Sequence, residues 1–71
     1  MPIIHVHMLE GRSAEQKAAA IARITEAAVE TLDVTSEQVR VLLHDVPAAH
    51  WGAAGSSIAD RRKVAEAETS R

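Results

Sequence analysis

Residues 13–32, SAEQKAAAIARITEAAVETL, open on a serine and contain neither glycine nor proline. Their first four residues fit a capping box. The Ser13 hydroxyl can accept from the third helical N–H, and the Gln16 side chain can reach back to the Ser13 N–H. Ala14, Ala18, Ile21, Ile24 with Thr25, Ala28 and Leu32 recur at helical spacing and form one apolar stripe. Glu15, Lys17, Arg23, Glu26 and Glu30 lie mostly away from it. The spacing predicts a helix from Ala14 to about Leu32, and the segments on either side of it decide the fold. Upstream, residues 2–9 read PIIHVHML. Ile4, Val6 and Met8 share one face of a strand, and Ile3, His5, His7 and Leu9 share the other, so both faces are expected to be largely covered. EGR then breaks the pattern, with Gly11 supplying the turn. Downstream, the polar DVTSEQ leaves room for one 3₁₀ turn begun by Thr35 or Ser36. Residues 39–45, VRVLLHD, form a second strand, with Val39, Val41 and Leu43 on one face and Arg40, Leu42 and His44 on the other. Strand, long helix and strand make a β-α-β unit with parallel strands and a right-handed crossover.

The expected class is therefore α+β: a single β-α-β unit followed by a short C-terminal hairpin or loop. PAAHWGAAGSS carries Pro47, Gly52 and Gly55 and reads as that loop. DRRKVAEAETSR is charged and rich in small residues. It extends a helix turn or frays, the tail being residues 63–71 or so. The whole chain, 1–71, is one domain. A chain of 71 residues buries a small core. It has no cysteine, so disulfides are excluded as support. It is 46% hydrophobic but 1% aromatic, and much of the apolar share is alanine, which fills little volume. Two strands are also too few for independent stability. Composition and topology separately call for oligomerisation.

The net charge is −2, and no basic cluster interleaved with aromatics points to nucleic acid. No apolar run approaches the roughly 20 residues of a membrane span. PIIHVHML is too short for a signal-peptide core and lacks a basic region before it, so the expected location is the cytoplasm.

Pro2 is the first candidate for chemistry. Proline is tolerated as the first residue of a strand, which alone accounts for it there. If Met1 is removed, however, the Pro2 nitrogen becomes a free secondary amine. Desolvation and nearby cations both disfavour its ammonium form. A neutral amine near pH 7 is a general base and its conjugate a general acid. Arg40 begins the second strand, beside the start of the first in a parallel pair. It would lower the amine pKa and bind a carboxylate with its planar fork. Arg12 lies beyond the far end of the first strand, roughly 25 Å from its own Pro2 at about 3.3 Å per residue. If Arg12 serves a Pro2 site, it serves another subunit's. Trp51, the single aromatic, sits in the glycine-containing loop and suits either core or the wall of a small pocket. His5 and His7 can present two imidazoles to a metal, with His44, His50 or a carboxylate as third ligand. Burial in an intersubunit sheet face with hydrogen bonds is the preferred reading, and no metal site is assigned.

The segments MPIIHVHMLEGRSAEQK and VRVLLHDVPAAHWGAAG resemble the 4-oxalocrotonate tautomerase family, over nearly the whole chain from Pro2 to about Arg62. The resemblance rests on Pro at position two, LEGRS-x-EQK, the Arg of VRV and the aromatic–Gly pair of the late loop. It implies a cofactor-independent isomerase that interconverts enol and keto forms of an unsaturated 2-oxo acid, typically in aromatic degradation. It further implies a homo-oligomer, a hexamer built as a trimer of dimers, with a small dienol or 2-oxo acid as the only other partner. Carried over by position, the family's proline base falls on Pro2 and its two substrate-binding arginines on Arg12 and Arg40. In the family these arginines reach the proline from neighbouring subunits. The family's pocket aromatic, usually Phe, falls on Trp51, and its pocket-lining apolar residue on Leu9. Trp for Phe and the small GAAG loop bear on the substrate more than on the reaction type. The alternatives are another proline-dependent reaction (hydratase, dehalogenase or a biosynthetic step) and a non-catalytic assembly or metal-binding module.

Overall fold

A computed structural model describes residues 1–69. Strand β1 (Ile3–Leu9) leads into helix α1 (Ala14–Leu32), a 3₁₀ turn (Ser36–Gln38) and strand β2 (Arg40–Val46). A second 3₁₀ turn (Ala48–His50), a two-residue hairpin of β3 (Gly52–Ala53) and β4 (Ser56–Ser57), and helix α2 (Ile58–Thr69) complete the chain. β1 and β2 pair in parallel from Ile3↔Arg40 to Leu9↔Val46, as the strand–helix–strand order requires. β3 and β4 pair antiparallel.

The helix start is the capping box read from SAEQ. Gln16 N–H donates to Ser13 Oγ at 3.1 Å, and Ser13 N–H donates to Gln16 Oε1 at 2.9 Å. Gly11 turns the chain from β1 into α1 at φ 118°, which a residue with a Cβ rarely adopts. At the other end Asp33 takes the left-handed conformation (φ 54°) and stops the helix. Thr35 N–H donates to Gln38 Oε1 at 3.0 Å and shapes the turn into β2. β2 starts one residue later than the sequence suggests, because Val39 closes the 3₁₀ turn by donating its N–H to the Ser36 carbonyl.

The inward face of α1 differs from the expected stripe. Lys17, Ala20, Ile24, Ala28 and Val29 turn toward the sheet, whereas Ala14, Ala18, Ile21 and Leu32 stay exposed. Alanines on several faces make the period ambiguous, and the rotation observed brings Lys17 to β2. Lys17 Nζ lies 2.5 Å from Asp45 Oδ2 of β2, on the sheet face shared by Ile4, Val6, Met8, Val41 and Leu43. The expected covering of both sheet faces is also absent within one chain. α1 supplies one layer, and the opposite face, bearing Ile3, His5, His7, Arg40 and Leu42, is exposed, with Ile3 at 59%. Among the described residues only Ala28 (6% exposed) and Val39 (7%) form a core. The radius of gyration is 16.8 Å, against about 11 Å for a compact chain of this length.

Where the tail offered a helix turn or fraying, α2 runs for 12 residues to Thr69. Ser57 starts it, its Oγ accepting from Asp60 N–H at 3.1 Å. α2 carries Ala, Glu, Arg and Lys, good helix formers, without an apolar stripe. Ser70 and Arg71, the end of the expected tail, lie outside the described residues.

Candidate functional site

Parallel pairing brings Pro2 and Arg40 together. The Arg40 N–H donates to the Pro2 carbonyl oxygen at 3.0 Å, the first rung below the β1–β2 ladder. Pro2 is half-buried there, and Met1 ahead of it is 75% exposed. The Arg40 guanidinium bends back over the preceding turn. Its Nη1 donates to the carbonyl oxygens of Glu37 and Val39, the latter at 3.3 Å. Among the described residues Nε and Nη2 make no hydrogen bond, so that part of the fork is available to an anion.

The other end of β1 carries a second group. Leu9, Glu10, Gly11, Arg12, Gln16 and Arg62 line a concavity of about 380 Å³. Glu10 holds its floor through a 3.0 Å bond from its N–H to the Val46 carbonyl. Arg12 is exposed and also borders a smaller hollow of about 120 Å³ beside Met8 and Ala20. No carboxylate of the described residues pairs with Arg12 or Arg62. Glu10, Gly11, Gln16 and Arg62 were not singled out as pocket residues from sequence. The first three sit inside or just beyond EGRS, so the motif itself marked the place. Arg62 belongs to a charged run with no periodic signal.

The structure does not bring these two groups together within one chain. Seven residues of β1 separate them, about 23 Å at 3.3 Å per residue. Trp51 joins neither. It is half-buried at the base of the hairpin, its N–H reaching the Ala48 carbonyl at 3.4 Å and its carbonyl accepting from Ile58 N–H at 2.9 Å. One chain thus holds Pro2 and Arg40 at one end of β1 and Leu9 and Arg12 at the other. His5 finds a partner across the strands: its Nδ1 lies 2.8 Å from His44 Nε2.

Comparison with known proteins matches residues 2–61 to the model of the tautomerase enzymes. The chain belongs to the tautomerase family. A 2-hydroxymuconate tautomerase of Comamonas testosteroni is 53% identical over 57 residues, 80% of this tautomerase and 90% of the relative. Among solved structures, a 4-oxalocrotonate tautomerase isozyme of Methylibium petroleiphilum superposes with a TM-score of 0.86 at 48% identity, covering 89% of this chain and 98% of that one. A heterohexameric 4-oxalocrotonate tautomerase of Chloroflexus aurantiacus gives a TM-score of 0.81 at 40% identity, over 84% and 97%. The resemblance read from the sequence is therefore the correct family, and the protein is an isomerase with tautomerase activity. No helix among the described residues is long and apolar enough to cross a membrane.

Proposed function

We propose that this tautomerase ketonises 2-hydroxymuconate or the dienol form of a closely related unsaturated 2-oxo acid, with the amine of a processed Pro2 as general acid and base. The observation that carries this reading is the Arg40 N–H to Pro2 carbonyl bond at 3.0 Å, which seats an arginine at the N-terminal end of β1. The amine takes the dienol hydroxyl proton. As the keto group forms, charge moves along the conjugated chain, and the prolinium returns the proton at the far, vinylogous carbon. The product is an isomer, so no redox partner or cofactor is required. One arginine binds a carboxylate, and the other stabilises the enolate charge developing at the 2-oxygen. Leu9 and Trp51 supply apolar wall, which disfavours the ammonium form of Pro2.

The site so described is assembled from several copies of the chain in a homohexamer. The support is the distance of about 23 Å along β1, too long for Arg12 to serve its own Pro2. The exposed sheet face supports the same assembly. The test is intact-mass spectrometry of active enzyme together with turnover of 2-hydroxymuconate. A chain lacking Met1 that turns over is the expected result. Active protein that retains Met1 has no free Pro2 amine and overturns the mechanism.

A further inference from the structure

The open face of the β1–β2 sheet carries a stack of three imidazoles. His44 is stacked with His7 at 4.6 Å between ring centroids and 14° between planes, and with His5 at 5.1 Å and 12°. His5 Nδ1 and His44 Nε2 share a hydrogen bond at 2.8 Å. The same face carries Ile3 and Leu42, both large and exposed. On the homo-oligomer reading above, further copies of this chain cover this face; we propose that its imidazoles make that association acid-labile.

The occupant follows from the chain itself. Ala28 and Val39 are its only buried apolar residues among those described, and its radius of gyration is half as large again as a compact chain's. What is missing is a second layer against the face opposite α1. Ile3, His5, His7 and Leu9 with Arg40, Leu42, His44 and Val46 form that face, by the alternation of the paired strands.

The proton dependence follows from hydrogen-bond chemistry. A bond between two imidazole nitrogens needs one proton and one lone pair. The neutral His5–His44 pair satisfies this. One added proton goes to the outer nitrogen of the donor ring and leaves the bond intact. A second puts N–H against N–H, breaks the bond and stacks two cations. The charged groups around the cluster do not offset this. Arg40 is the other ionisable residue among those eight, and it is a cation. Asp45 points to the opposite face and is paired with Lys17 of α1. Glu10 lies beyond the end of β1, lining the concavity with Arg12 and Arg62. In the free chain the protonated rings can part and turn to water; under another copy they cannot, so burial of the face disfavours the cations and dissociation takes up protons. The imidazoles do not converge on a common point as metal ligands would: among the described residues no group of three or more donors is arranged to hold a metal.

Sedimentation velocity at about pH 8 and about pH 5, on either side of ordinary imidazole titration, tests this, with circular dichroism reporting the fold. The expected result is an oligomer at the higher pH and smaller species at the lower. The dissociation constant should rise about tenfold per pH unit for each proton taken up. The triple variant His5→Gln, His7→Gln, His44→Gln should remain assembled at both. An oligomer of unchanged mass at both pH values overturns the acid-lability and leaves the assembly reading standing. A monomer at pH 8 overturns the assembly reading itself. Parallel dissociation of wild type and triple variant also overturns the role of the imidazoles. If the triple variant fails to assemble at all, His44→Gln alone decides: a midpoint moved to lower pH supports the proposal, and an unmoved one overturns it.

Discussion

The backbone N–H of Arg40 is hydrogen-bonded to the carbonyl oxygen of Pro2. The main chain, not the guanidinium, fixes this neighbourhood, so the side chain can be changed without unpairing the strands. Arg40→Ala should keep its oligomeric state while kcat/KM on 2-hydroxymuconate falls by about 10²–10³, the usual loss when one stabiliser of developing charge is removed. Losing a nearby cation favours the prolinium form, so the rising limb of the pH–rate profile should move to higher pH. Steady-state kinetics from acid to alkaline pH read both effects. A variant with wild-type kcat/KM would reduce Arg40 to a surface charge.

Arg12 and Pro2 at opposite ends of β1 call for subunit complementation. Arg12→Ala subunits and subunits with an acetylated Pro2 amine should each be nearly inactive alone. Co-refolded, they should regain activity, because mixed assemblies contain sites with an intact proline from one chain and an intact Arg12 from another. Absence of recovery in verified mixed oligomers would show that sites are not shared.

Ala54 sits at φ 53° beside Gly55 at φ 87°, in the two-residue loop joining Ala53 to Ser56. Positive φ at both central positions suits a hairpin turn but disfavours alanine. Ala54→Gly should stabilise the protein by about 0.5–1 kcal/mol, offset in part by the extra freedom of glycine when unfolded. Urea unfolding should show a higher midpoint at unchanged slope.

The Lys17–Asp45 pair joins α1 to β2, with side chains 32% and 41% exposed. At that exposure its coupling should be about 0.5–1 kcal/mol in a double-mutant cycle and should shrink with added salt. Replacing Ser13 by Ala should cost about 1 kcal/mol, because the Gln16 N–H loses its side-chain acceptor at the start of the helix.

These positions also show what the sequence made legible. Ser13, Gln16 and Gly11 are local devices whose geometry is written in their residue types, so the β1–α1 boundary could be read directly. The parallel pairing of β1 and β2 followed from one helix-length segment between two apolar runs. The rotation of α1 could not be read so, since alanines at 18, 19, 20, 22, 27 and 28 make several faces nearly equivalent. In the rotation observed, Lys17 pairs with Asp45 of β2. Strand pairing put Pro2 beside Arg40 and strand length kept Arg12 from its own Pro2, but the proposed grouping of these three with Leu9 and Trp51 came only through family resemblance. Periodicity places residues on faces of one chain, and these five lie in three separate neighbourhoods of it. His44 was one of several candidates to join His5 and His7, but its stacking between them could not be read, because its partners come from the other strand in a register fixed only on folding.

β1 has a further consequence as a measuring stick. Its seven residues set the spacing between a subunit's proline end and its arginine end. Inserting or deleting one residue would exchange the two faces of everything downstream. Inserting two would preserve the alternation yet carry Arg12 about 6.6 Å along the sheet, out of step with every neighbouring copy at once. In the proposed assembly, strand length is thus a dimension that cannot drift in a single chain without detuning every shared site.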